Sequence, residues 1–356
     1  MTNTNIFNRI TIIGLGLIGS SIARAVRENN LAKIIVGCDE NEVSLAFARK
    51  AGFVDSATVD VKIAVKDSDL VIIATPPATL SDIAETIAPH LADGAMVMDT
   101  ASVKQPAIAA ISPHLPASVI FIPTHPIAGS EQTGVRAGLA NLFTKKRIII
   151  TPEKPPEEAV LKKINAFWQA MGARVEGMPA DIHDMLYGYM SHLPQLIAFC
   201  VKEPLGDFLD KNQDNAVYKT FLRITNSDAD LWADIFGQNS ENILKGLDRY
   251  IDVVEHVRKE LKTAPEGEES KEDEQLAYTV LFPRIVASCL VTTVMEAEKN
   301  AGFSFARYAG TGFADFTAPA IIPPEIDIEQ ISAQYKLVEK IVGEFLVKLK
   351  EFRAVL

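Results

Sequence analysis

Two kinds of chemistry are written into the spacing of this chain, a seat for a diphosphate and a place to take up a proton. Gly14, Gly16 and Gly19 stand at G-x-G-x-x-G spacing, directly after the β-branched run Ile10, Ile12 and Ile13. An apolar helical pattern opens at once with Leu17 and Ile18 and continues through Ile22, Ala23 and Val26. Glycines so placed make a tight turn, let backbone approach a pyrophosphate, and let a helix pack closely on its strand. The N–H groups of the first helical turn then face the phosphates with a partial positive charge. A second strand, Ile34–Cys38, ends in Asp39, twenty residues after Gly19. A carboxylate there accepts from the ribose 2′-hydroxyl of NAD and repels the 2′-phosphate of NADP. Glu40 and Asn41 follow, with no arginine close by to receive that phosphate. These residues predict an NAD site, and the bland alternative is an α/β turn without a ligand.

An NAD enzyme needs an acceptor for the proton of the hydroxyl it oxidises. Of six histidines, two stand where such a group is wanted. His125 follows a predicted strand within Thr124-His125-Pro126-Ile127-Ala128-Gly129-Ser130-Glu131, a loop braced by proline and glycine. His192 is the strong polar group on an otherwise apolar helical face, just before Pro194. His90, His114, His183 and His256 lie in helix-end or surface patterns and are expected to have no part in the chemistry.

The elements that must hold these groups follow from periodicity. After Asp39 come a helix (Asn41–Ala51), a buried strand (Asp69–Ala74) ending in Thr75, Pro76 and Pro77, and a helix (Leu80–Pro89). A strand (Gly94–Asp99) leads into Thr100-Ala101-Ser102-Val103-Lys104, and the strand Ser118–Ile122 leads to His125. Arg147–Thr151, Pro155–Met171 and Ala173–Val175 add strand, helix and strand. This is a doubly wound, Rossmann-type, mostly parallel sheet, and Thr75 and Pro76 fall at the crevice where a dinucleotide lies. From about Ala180 long helical patterns replace strands: Ile182–Lys202, Trp232–Leu261, Leu276–Ala301 and Ile328–Val355. The expectation is an NAD-binding domain over 1–178 and an all-helical substrate-binding and dimerisation domain over 179–356, with 262–275 an exposed charged loop. Ser191–Cys200 also resembles Val280–Cys289, 89 residues later, with Leu281 in place of His192. A duplication whose second copy lost its polar group, or chance likeness of two apolar helices, would each explain it.

With 356 residues and a formal net charge of −11, the chain suits neither nucleic acid nor an anionic membrane. Cys38, Cys200 and Cys289 show no metal or redox spacing, as expected in a reducing cytoplasm, and no metal site is expected. The start, MTNTNIFNR, has no apolar signal core, and no run of about 18 apolar residues is expected to span a membrane, so a soluble cytoplasmic protein is expected.

Four segments in this order carry a resemblance: Gly14–Gly19, Asp99–Lys104, Thr124–Val135 and Ser191–Pro194. Together they resemble the prephenate/arogenate dehydrogenase family, and Phe221–Asp228 with Trp232 resembles its next landmark. The resemblance implies NAD-dependent oxidative decarboxylation of a small anionic cyclohexadiene, prephenate or arogenate, in tyrosine biosynthesis, by a homodimer. It implies His125 as acceptor of the substrate hydroxyl proton, Ser102 beside it, and His192 as a second active-site histidine. It further implies that Arg223, Ser130 and Trp232 bind substrate. The family wording before the arginine ends in G-F-x-D-F-T-R. Here Ala216–Arg223 stands in its place, and the closer wording Gly310–Thr317 is followed by Ala318. The rival enzyme is another two-domain NAD(P) dehydrogenase, of the β-hydroxyacid or ketopantoate type, which would use a lysine where His192 stands. A catalytically silent NAD sensor is the non-enzymatic rival, and it would need none of Ser102, His125 and His192.

Overall fold

A computed structural model describes residues 5–129, 132–211, 228–263, 276–320 and 334–356. The chain divides into two compact units, Met1–Asp184 and Met185–Leu356.

In the first unit, six parallel strands lie in the order β3-β2-β1-β4-β5-β6. They are β1 (Phe7–Ile13), β2 (Ala32–Cys38), β3 (Ser56–Thr58), β4 (Leu70–Ile73), β5 (Met96–Asp99) and β6 (Ile120–Ile122). Helices α1 (Leu17–Glu28), α2 (Glu42–Lys50), α3 (Val61–Ala64), α4 (Leu80–Ile87) and α5 (Lys104–Ile111) make the crossovers. The inner stretches of β1, β2 and β4 are largely β-branched and apolar because both faces are covered there. Alternate residues serve opposite faces: Ile12 and Ile72 enter one apolar cluster, Ile13, Val71 and Ile73 the other. The order reverses between β1 and β4, and a crevice opens there beyond the strand ends.

A second, three-stranded sheet was not foreseen. β7 (Thr124–Pro126) pairs antiparallel with β8 (Arg147–Ile150), which runs parallel to β9 (Arg174–Gly177). Helix α6 (Glu158–Ala170) packs its Ile164, Phe167 and Trp168 into the same core as β1. His125 therefore sits not on a loop but at the centre of β7, opposite Ile149.

Helix α7 (Ala180–Tyr187) crosses the division between the units, six residues beyond the expected boundary. His183 and Asp184 hold its first half to the first unit, as described below. In the helical unit, a π-helical turn at Gly188–His192 leads into α8 (Leu193–Lys211). Pro194, lacking an N–H, cannot close the ordinary i→i−4 bond there, and the wider turn accommodates it. The pattern expected as one helix from Trp232 to Leu261 is two, α9 (Ala229–Gln238) and α10 (Ser240–Lys262), broken at Asn239. A second π-turn, Ala277–Leu281, opens α11 (Phe282–Ala301), followed by α12 (Thr311–Thr317) and α13 (Tyr335–Val355). Contrary to the reading of the sequence, Ala277–Ala301 is long and apolar enough to cross a membrane. Half of its apolar window is buried inside the protein, packed as a core helix. The expected charged loop falls mostly on residues 264–275, outside the described residues.

Candidate active site

The glycine turn joins β1 to α1. Gly14 has φ +89°, open to glycine, and a Cβ on it would lie 2.5 Å from the carbonyl oxygen of Ala74. A Cβ on Gly19 would stand 1.9 Å from the carbonyl oxygen of Gly14. These two glycines are closed by packing, whereas a Cβ on Gly16 meets nothing within 4 Å. That open side, with Leu17 and Ile18 starting a helix that has no side-chain cap, fits a diphosphate. The same packing seats Thr75 against Gly14, with Pro76 next to it. Asp39 follows β2 and accepts from the backbone N–H of Leu15 (2.7 Å) and of Asn41 (2.9 Å). A carboxylate has room for further donors, so the residue can hold the turn and still receive a ribose hydroxyl. These residues fit a dinucleotide.

The ends of β5 and β6 are fastened together by a buried ion pair. Lys104 is fully buried, its ammonium paired with Asp99 and donating to the carbonyl of Thr124 (2.7 Å). Asp99 also accepts from the N–H of Thr124 (2.9 Å) and of Ala101 (3.0 Å). Burial pushes the Lys104 pKa down, and the attraction of Asp99 opposes that shift. Ser102, part-buried, lies between these anchors, and His125 follows Thr124.

His125 Nδ1 lies 2.8 Å from His183 Nε2, and His183 Nδ1 lies 2.8 Å from Asp184 Oδ1. Asp184 also accepts from the N–H groups of Lys104 (2.7 Å) and Gln105 (2.8 Å), capping the start of α5. Tautomers follow from this order. An ionised Asp184 only accepts, so His183 carries its proton on Nδ1 and accepts on Nε2. His125 then donates from Nδ1, which leaves the lone pair on Nε2. His183 was expected in a helix-end or surface pattern; the structure instead buries it wholly, against the ring of His125. No local signal in the sequence marks His183, because its partner His125 lies 58 residues away.

The helical unit fixes its own histidine. His192, 1% exposed, ends the first π-turn, and Asn239 Nδ2 lies 3.0 Å from its Nδ1. The Nδ2 of Asn242 donates to Asn239 Oδ1 (2.8 Å), so the Asn239 amide must present its N–H₂ to the ring. His192 Nδ1 is therefore an acceptor, and the neutral ring carries a donor at Nε2. Trp232 on α9 meets the ring edge to face, with centroids 6.1 Å apart. Asn239, which the sequence reading passed over, both breaks the helix and sets this tautomer. Ser130 and Arg223 lie outside the described residues.

Residues 22–177 match the model for the prephenate dehydrogenase nucleotide-binding domain, and residues 179–269 that for the prephenate dehydrogenase dimerization domain. Cyclohexadienyl dehydrogenase of Zymomonas mobilis is 32% identical over 252 residues, covering 69% of this chain and 86% of that protein. Among solved structures, prephenate dehydrogenase from Aquifex aeolicus, in complex with hydroxyphenyl propionate and NAD⁺, is 31% identical with a TM-score of 0.65. That match covers 71% of this chain and 90% of the other. Synechocystis arogenate dehydrogenase, 26% identical, has a TM-score of 0.57 and covers 72% of this chain and 91% of its own.

Proposed function

The chain belongs to the prephenate dehydrogenase family, and from that premise we infer that it oxidises and decarboxylates prephenate or arogenate with NAD⁺, toward 4-hydroxyphenylpyruvate or tyrosine. The observation that carries this reading is the His125–His183–Asp184 chain, in the unit that bears the dinucleotide turn. When bound, NAD⁺ supplies the hydride acceptor for C4 of the substrate. His125 Nε2 takes the proton of the C4 hydroxyl as the carbonyl forms, and Asp184, through His183, supports the charge gained. Loss of CO₂ from C1 leaves an aromatic ring. Ser102 orients the hydroxyl beside His125, and the Nε2–H of His192 donates to a substrate oxygen next to Trp232. Arg223 grips a carboxylate with its planar fork, and Ser130 adds a further polar contact.

Incubation with prephenate, and separately arogenate, while NADH absorbance is followed tests the reading. NADH formation and CO₂ release are expected with at least one, and neither occurring would overturn it. Arg223→Ala is expected to raise KM more than it lowers kcat, by about 1.5–3 kcal/mol, the worth of a charged hydrogen bond.

Asp39 makes NAD⁺ the preferred cofactor. Asp39→Asn keeps an acceptor for Leu15 N–H but removes the charge that repels a 2′-phosphate. The kcat/KM ratio of NAD⁺ over NADP⁺ should fall in the variant. Equal values for both cofactors in the wild type would rule out this role.

We place the enzyme in the cytoplasm, supported by three buried cysteines that form no disulfide, and as a homodimer, supported by the match to a dimerization domain.

A further inference from the structure

Both family matches stop by residue 269, and helices beyond it share features with helices before it. The two π-turns, Gly188–His192 and Ala277–Leu281, stand 89 residues apart, each followed by a helix with proline at its second position. Such turns are rare, so finding one at the same place in each half weighs against chance likeness of two apolar helices. The buried positions agree at the same spacing, Ile197 with Val286, Ala198 with Ala287 and Cys200 with Cys289. Further on, the spacing becomes 95: Asn239 and Gln334, both buried, immediately precede α10 and α13. Leu247, Tyr250 and Val254 correspond to Val342, Phe345 and Leu349, and all six are buried.

The two halves are interlocked. Of the two first helices, α10 packs chiefly on α11 and α13 chiefly on α8, so each long helix lies against the other half's first helix. The hydroxyl of Tyr250 donates to the carbonyl of Val286 (3.1 Å), and Phe345 meets the ring of Phe282 edge to face. The long helices pack on each other with reciprocal contacts, as across a two-fold axis. Asp248 pairs with Arg353, the counterpart of Arg258, while Arg258 lies over Gly343, the counterpart of Asp248. At the axis the same position faces itself, Glu255 against Lys350 (2.5 Å). Two identical helices would set Glu against Glu there; divergence of the halves has made the pair complementary.

We propose that residues 277–355 are a second, diverged copy of residues 188–262, and that the chain builds within itself the interlocked helical core that a single-copy chain must build with a partner. The surface presented by α10 thus fits α13 of its own chain, so a homodimer of whole chains would need another face. The chemistry stays with the first copy. Leu281 and Gln334 replace the His192–Asn239 pair, and Ala318 stands 95 residues after Arg223. The near-family wording around Gly312 is accordingly the second copy's version of the arginine segment.

Zero-length carbodiimide coupling of the intact chain tests this without reference to activity. An amide joining Lys350 to Glu255 should be recovered by peptide mass spectrometry from the band of single-chain mass, 38.8 kDa, at every protein concentration. Lys350→Gln should abolish it. Coupling of Lys245 to Glu241, whose charged atoms are 2.8 Å apart on one helix face, reports that the reagent has acted. The Lys350–Glu255 amide found only at twice the chain mass, or missing while the Lys245–Glu241 amide is present, overturns the proposal.

Discussion

His125→Asn is expected to lower kcat by about 10²–10⁴-fold, the contribution of a positioned general base, while leaving NAD⁺ affinity nearly unchanged. Hydride leaves C4 readily only if the hydroxyl proton is drawn away as the carbonyl forms. In the folded chain the lone pair for this task is on Nε2, because Nδ1 is committed to His183. Asparagine can still hydrogen-bond but cannot take a proton. The wild-type rate should fall on the acid side as imidazole becomes protonated, and that limb should vanish in the variant. His183→Phe should give a smaller loss of kcat, with the acid limb displaced rather than erased, because it removes the support and not the base. Retention of more than about a tenth of wild-type kcat by His125→Asn, well above the range for a catalytic base, would reduce His125 to a structural residue.

Asp99→Ala is expected to destabilise the first unit by about 3–5 kcal/mol, the usual cost of stranding one partner of a buried ion pair. Lys104 is enclosed on all sides, so its ammonium has no route to water once the carboxylate is gone. The N–H groups of Thr124 and Ala101 lose their acceptor as well. For that reason a second change, Lys104→Met, should recover only part of the loss, although replacing both ions by apolar groups is often neutral elsewhere. Urea unfolding followed by circular dichroism measures both variants. A single variant that loses under about 1 kcal/mol, the worth of an exposed pair, would show that the pair is not sealed from solvent.

What could be read from the sequence was whatever short-range spacing encodes. The glycine turn, Asp39 at a strand end and the apolar strands follow from neighbours within about one βαβ unit, and the parallel sheet bears them out. The second sheet was illegible because β7 is three residues long and its partner β8 begins twenty-one residues after β7 ends. His183 was misjudged for a related reason. Nothing local reveals that a histidine at the start of a helix will be buried against another 58 residues away. Asn239 looked like one more polar residue on an amphipathic helix, and only the position of His192 explains why the helix stops there. The internal likeness near Pro194 and Pro283 was visible but undecided, since apolar helices resemble one another and the interlocking that distinguishes a copy is a tertiary fact.

The buried cysteines have a use beyond packing. Burial, together with the nearby charges of Asp39 and Asp60, pushes the Cys38 thiol up to about 12, and burial alone does the same for Cys289. Only a thiolate reacts at a useful rate, so in the folded chain both are protected from alkylating reagents near neutral pH. Each unit thereby carries its own clock. The rate at which Cys38 is alkylated reads the opening of the dinucleotide-binding unit, and that of Cys289 the opening of the helical core. Because Cys38 immediately precedes Asp39, a nucleotide that engages Asp39 should slow the first clock, and its effect on the second would measure how far one unit's stability is felt by the other.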